Sequence, residues 1–293
     1  MAFLKRKGKR MSGTDLVVGV DGSAGALAAV QWAARVARAR RLGLRLVHAL
    51  PELPAPYPRA DPTYEQLLEA AGAQGRVMLA EARDAASGVE AATVLRSERP
   101  ADALVAESGG AAMLVLGTPG LRPLGRVLVG SVTVALAAHA RCPVALIRPH
   151  AGEDEPPAEG PVVVGVDGSP ASEEAIAVAY EEASWRGARL IAVHCRHRDG
   201  WWDTGTTAEE YARELLAQRL AGWAEKYPDV VVDREVVAGR AAERLLDFAD
   251  RAQLLVVGSR GRGGFGGLAL GSTSQALMSY ALCPVVVARP RAK

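Results

Sequence analysis

The stretch LVVGVDGSAGALAAVQWAARVA at residues 16–37 returns as VVVGVDGSPASEEAIAVAYEEA at residues 162–183. Three more segments come back in the same order. LGLRLVHAL (42–50) returns as RGARLIAVHC (186–195), AAMLVLGTPG (111–120) as AQLLVVGSRG (252–261), and AHARCPVALIRP (138–149) as SYALCPVVVARP (279–290). Repetition at nearly constant internal spacing marks one unit written twice. The polar, proline-rich PHAGEDEPPAEGP at 149–161 reads as the linker between the copies. The expected division is a basic, disordered tail at 1–14, a first domain at 15–149, a linker at 150–161 and a second domain at 162–290.

Within each copy, short apolar runs alternate with longer helical patterns. In the first, strands are expected at 16–20, 44–47, 113–116 and 144–147, with a further one at 89–96 and its counterpart at 229–237. Helices are expected at 26–39, 63–86 and 131–140, where apolar positions recur at three- and four-residue steps. The strands are continuously apolar, as in a parallel sheet covered on both faces. Strand–helix alternation then predicts a doubly wound α/β domain in each half, with ligands at the carboxyl ends of the strands.

Composition narrows the function. The net charge of +2 includes Lys5, Arg6, Lys7, Lys9 and Arg10 of the tail, and the remainder carries 30 basic against 33 acidic residues. That balance argues against a nucleic-acid partner. No apolar run approaches the roughly 20 residues of a membrane span, and the tail lacks the apolar segment of a secretory signal. Three cysteines without metal-ligand spacing suit the cytoplasm.

Two motifs carry the candidate chemistry. GVDGS (19–23 and 165–169) puts Asp21 and Asp167 directly after an apolar run. Such an acid can accept hydrogen bonds from a ribose or an adenine edge, or simply serve a turn or helix cap; Ser23 and Ser169 read as turn or cap residues. The second motif is a glycine loop with spacing G-x-x-G-x9-G-S: Gly117, Gly120, Gly130 and Ser131, then Gly258, Gly261, Gly271 and Ser272. Glycines let backbone pass close to phosphates, and a helix beginning at Gly-Ser favours anions. Tight packing is the alternative reason. GRGGFG at 261–266 is a poor dinucleotide fingerprint, because it follows a late strand and no strand-end acid comes after it; no P-loop lysine is present.

VGVDGS paired with the glycine loop, and CPV before the last strand, resembles the universal stress protein family over residues 15–290. The resemblance implies two tandem Rossmann-like (adenine nucleotide alpha hydrolase-like) domains, each a five-stranded parallel sheet between helices, with the last strands paired in an internal dimer. It also implies ATP as ligand, accompanied by Mg2+. Asp21 and Asp167 would contact the nucleoside, the backbone of Ala49 and Cys195 would read adenine, and Leu116-Gly117 and Val257-Gly258 would close the base pocket. Gly120, Gly130, Ser131 and Val132, with Gly261, Gly271, Ser272 and Thr273, would hold ribose and phosphates. No catalytic residue and no metal ligand of the protein is expected. A homodimer and a protein partner reading the ATP state are further expectations. The rivals are a slow ATPase or other ATP-using enzyme, and a nucleotide-free dimerisation module.

The copies differ inside the loop, where Pro123 and Arg126 replace Gly264 and Gly267. Proline removes a donor and fixes φ, so the first site is expected to bind differently, with Arg122 and Arg126 as phosphate contacts in compensation. His48 and His194 read as satisfied histidines, Cys142 and Cys283 as packing, and Cys195 as ligand-adjacent. Trp201-Trp202 read either as a cover over a ligand or interface or as aromatics folded back on their own domain, and the proline-rich segment at 51–62 reads as a cover loop.

Overall fold

In the first copy the apolar runs become strands and the three- and four-step patterns become helices: β1 Asp15–Gly19, α1 Ala24–Arg40, β2 Gly43–Ala49, α2 Pro62–Ala85, β3 Ala91–Arg96, α3 Pro100–Glu107, β4 Met113–Gly117, α4 Ser131–His139 and β5 Val144–Ile147. The second copy follows with β6 Val162–Gly165, α5 Pro170–Arg186, β7 Leu190–Arg196, α6 Thr206–Leu220, α7 Trp223–Lys226, β8 Val232–Ala238, α8 Ala241–Ala249, β9 Leu254–Gly258, α9 Ser272–Tyr280 and β10 Val285–Ala288. The computed structural model describes residues 15–50, 62–118, 129–148, 156–196, 206–261 and 270–289. The basic tail, Gly120, Arg122, Pro123, Arg126, Trp201-Trp202, Gly264 and Gly267 lie outside the described residues.

The ten strands form one sheet in the order β3-β2-β1-β4-β5-β10-β9-β6-β7-β8. Each half contributes five parallel strands. β5 and β10 join the halves antiparallel, in the register Val285↔Leu146, Val286↔Ala145 and Val287↔Val144. Ala145 and Val286 are equivalent positions in the two copies, so an approximate twofold axis passes between them. α1, α2, α5 and α6 bury one face of the sheet, and α3, α4, α8 and α9 bury the other. The central strands β4, β5, β9 and β10 are apolar throughout because they are covered on both sides. The outermost strands, β3 and β8, are half exposed. α3 and α8 were absent from the sequence expectation. They are only 8 and 9 residues long, although α8 carries its apolar residues on one face.

On the α1/α5 face, Arg40 and Arg186 occupy equivalent positions in the two copies, and both converge on one carboxylate, Glu182. Arg40 Nη1 donates to Glu182 Oε1 at 3.1 Å. Arg186 donates to Oε2 through Nε at 3.2 Å and Nη2 at 3.1 Å. Glu182 is 1% exposed. Arg40 also binds Glu181, and Arg186 lies over the rings of Trp185 and Trp32 at 4.2 and 5.6 Å. The position equivalent to Glu182 in the first copy is Val36, which is buried and apolar. A single acid therefore serves two arginines across the seam.

Removing one partner of a buried ion pair leaves uncompensated charge, which typically costs about 3–5 kcal/mol. Glu182→Ala is expected to lose that much in urea denaturation, because it removes the buried carboxylate that both guanidinium groups share. It leaves Arg186 with only the neutral Gln253 side chain and Arg40 with the part-exposed Glu181. A loss below about 1 kcal/mol, the range of exposed pairs, would show that the triad does not hold the halves together.

Candidate nucleotide site

At the end of β1 and of β6 the chain turns sharply into a helix. Gly22 and Gly168 make this turn at φ +79° and +76°, a left-handed conformation that favours glycine. Asp21 Oδ1 accepts from the Ser23 amide at 2.9 Å, and Asp167 Oδ1 accepts from the Ser169 amide at 2.9 Å. Ser23 and Ser169 cap α1 and α5, accepting from the amides of Ala26 (3.1 Å) and Ser172 (3.2 Å). The serines are thus structural, as expected, and each aspartate does turn duty with one oxygen. The histidines are satisfied too: Nδ1 of His48 and of His194 meets the carbonyl of Val20 (2.8 Å) and of Val166 (2.7 Å), one residue before the aspartate. A carbonyl only accepts, so Nδ1 carries the proton.

The glycines divide into two kinds. A Cβ on Gly117 would lie 2.0 Å from the Gly25 carbonyl oxygen, and one on Gly258 2.7 Å from the Ala171 backbone. These two are glycine because α1 and α5 begin directly against them. A Cβ on Gly130 would meet nothing within 4 Å, and one on Gly271 would make ordinary contacts at 3.4 Å. Both have unexceptional φ, −63° and −73°. Packing within the described chain therefore gives no reason for glycine at 130 and 271.

Those same residues start α4 and α9, and neither helix has a side-chain N-cap bond. The first N–H groups of an α-helix have no intrahelical partner. α1 and α5 satisfy one with serine, whereas α4 and α9 present theirs uncapped beside the hydroxyls of Ser131, or of Ser272 and Thr273. In the second half the Gly271 amide donates to the Ser259 carbonyl at 2.8 Å. Ser274 Oγ donates to the Gly258 carbonyl at 2.6 Å, and Ser169 Oγ to that of Arg260 at 3.3 Å.

β6 lies between β7 and β9, so the ends of all three strands meet at the topological switch point. A cavity of about 690 Å³ opens there. Asp167, Cys195, Val257, Gly258, Gly261, Gly271, Ser272 and Thr273 all line it, so the structure brings together every residue expected for the second site. Ser172, Arg196, Arg260 and, from α8, Ala241 and Leu245 also line it and were not anticipated. Helix α8 was the missed signal; its apolar positions 245, 246 and 249 share one face. Burial pushes the Cys195 thiol up to about 11, so it is neutral at pH 7. In the first half Asp21, Ala49, Leu116 and Gly117 sit at the equivalent ends of β1, β2 and β4, with Gly130, Ser131 and Val132 opening α4. Among the described residues no cluster of three or more metal-ligating side chains occurs, and no helix is long and apolar enough to cross a membrane.

Comparisons with known proteins bear on the family and the fold. The profile described as Universal stress protein family matches residues 14–148 and 160–289. A universal stress protein of Mycolicibacterium smegmatis is 40% identical over 294 residues, covering 94% of this chain and 97% of its own. One from Mycobacterium tuberculosis is 41% identical over 295 residues, covering 94% and 96%. Among solved structures, a universal stress protein from Archaeoglobus fulgidus superposes with a TM-score of 0.70 at 18% identity, covering 95% of this chain and 99% of that one, which shows the shared fold.

The glycine contrast has a direct consequence for stability. Gly117→Ala drives a methyl into backbone and is expected to cost about 1–3 kcal/mol or more, whereas Gly130→Ala is expected to change stability by no more than about 0.5 kcal/mol. Thermal melts of the two variants decide it; equal losses would refute the distinction.

Proposed function

The chain belongs to the universal stress protein family, and from that premise we propose that it is an ATP-binding member whose nucleotide state is read by another protein in the stress response. The observation that carries this reading is the pair of uncapped helices beginning at glycines that packing does not require. In the second half one opens onto the cavity at the strand ends. A methyl group there would crowd a ligand rather than the protein, and the bare N–H groups favour phosphate. The cavity volume falls within the usual range for small-molecule sites.

In this reading Asp167 accepts from the ribose, the backbone at Cys195 meets adenine, and Gly261, Gly271, Ser272 and Thr273 hold the phosphates. Asp21, Ala49, Leu116, Gly117, Gly120, Gly130, Ser131 and Val132 are the corresponding residues of the first half, where Pro123 and Arg126 make the binding differ. Mg2+ would arrive on the phosphates, since the second-site residues supply backbone amides and hydroxyls rather than a carboxylate cluster. ATP acts as a ligand whose presence at the start of α9 is what the partner reads. None of the three cysteines forms a disulfide, which suits action in the reducing cytoplasm.

Heat release followed by chromatography and mass spectrometry of what co-purifies is the first test. Up to two ATP per chain are expected, and Ser272→Ala should weaken binding about 10- to 100-fold, the worth of one hydrogen bond to a charged group. No binding after added ATP–Mg2+ would overturn the proposal. Thiol labelling gives an independent measurement. Cys142 and Cys283 are buried, so native protein should react slowly at Cys195 alone. The rate should climb with pH toward about 11, because only the thiolate is nucleophilic. Saturating ATP should suppress it; unchanged labelling would count against a ligand over Cys195.

A further inference from the structure

The helices that open the two candidate phosphate sites are each held, at their other end, by an arginine from the opposite half. Arg148, directly after β5, crosses the seam to the last turn of α9. Its Nη1 donates to the Ala281 carbonyl at 2.9 Å, and its Nη2 donates to the Met278 carbonyl. Arg289, directly after β10, crosses in the other direction to α4, donating through Nε to Ala140 at 3.2 Å and through Nη1 to Ala137 at 3.5 Å.

Helix-end carbonyls lack intrahelical partners and carry the negative end of the dipole. α9 has no basic residue in its own last turn, so the cation there comes from the other half. Arg148 is 1% exposed. Its two hydrogen-bonded partners are these carbonyls, and its Nε has none. Burial pushes it down to about 10, which leaves it charged at pH 7. A cation this deep is expensive unless its neighbours are fixed around it, so the end of α9 and Arg148 hold each other. α9 is one rigid element of 9 residues, about 13 Å long at 1.5 Å per residue. A shift at Ala281 therefore reaches Gly271 and Ser272.

Resting on the nucleotide reading above, we infer that Arg148 is a positioning residue for the second site and Arg289 for the first, so that each site is set in place by the opposite half. The two grips differ. Arg289 is only half-buried, its contacts are longer, and Arg260, which lines the second cavity, repels it. The Arg148 grip on the second site is the tighter.

The experiment is ATP titration by calorimetry of full-length chains in which one site is blocked, by Gly130→Val for the first or Gly271→Val for the second. Arg148→Gln is expected to weaken ATP at the second site about tenfold, a usual size for coupling between sites, while affinity at the first changes less than twofold. Arg289→Gln should do the reverse, more weakly, and Arg148→Lys should recover part of the loss. Should Arg148→Gln fail to fold, Arg148→Lys and Arg289→Gln carry the same comparison. Equal weakening at both sites, or weakening only in the arginine's own half, would overturn the inference while leaving nucleotide binding intact. Failure of the unmodified chain to bind ATP would instead overturn the nucleotide reading, and this inference with it.

Discussion

A single buried carboxylate, Glu182, between two equivalent arginines is the constraint on which the arrangement of the halves depends. The β5–β10 pairing could in principle join two identical domains, because its register places Ala145 against its own counterpart Val286. The charges make the pair unequal. With Glu182 on one side and Val36 on the other, the triad is satisfied only when a first half meets a second half. Two first halves would bring two arginines and no Glu182. Two second halves would bring two acids and two arginines, each Glu182 beside its own Arg186, and so form separate pairs rather than the shared triad. Buried polar contacts of this kind specify which partner is correct more than they add net stability. Here they favour pairing within the duplicated chain.

From that seam the two ends of the sheet follow in order. β5 and β10 carry the crossing arginines, and the helices those arginines grip begin at the glycines of the candidate sites. The opposite helices, α1 and α5, start under serine caps and press against Gly117 and Gly258. One motif therefore holds glycines with different physical duties. The first of each set permits helix–strand contact within the protein. The one before the serine leaves a helix start without a side-chain cap.

Much of this was readable beforehand. The duplication, the alternation of strand and helix, and the boundaries of α1, α2 and β5 lie within a residue or two of the positions that periodicity predicts, because apolar spacing is a local property of the chain. The grouping of the second candidate site was legible for the same reason: each strand end and the glycine segment is marked by its own local motif, and the sheet order gathers them at one point. The short helices α3 and α8 were not expected, although α8 carries its apolar residues on one face and is as long as the expected α4, so the α8 wall of the cavity was missed with them. Spacing also could not separate Gly258 from Gly271. What distinguishes them is the backbone of Ala171, more than 80 positions away.

Sequence alone settled the class of each domain, the presence of two copies and the residue types offered to a ligand, because helix and strand periods and turn chemistry act over a few neighbouring residues. Tertiary structure decided which carboxylate joins the halves, which glycines are steric necessities and which arginine grips which helix. Those partners stand far apart along the chain, 142 positions for Arg40 and Glu182 and 133 for Arg148 and Ala281. Only the folded sheet brings them within hydrogen-bonding distance, and a hydrogen bond or a clash is decided within about an ångström.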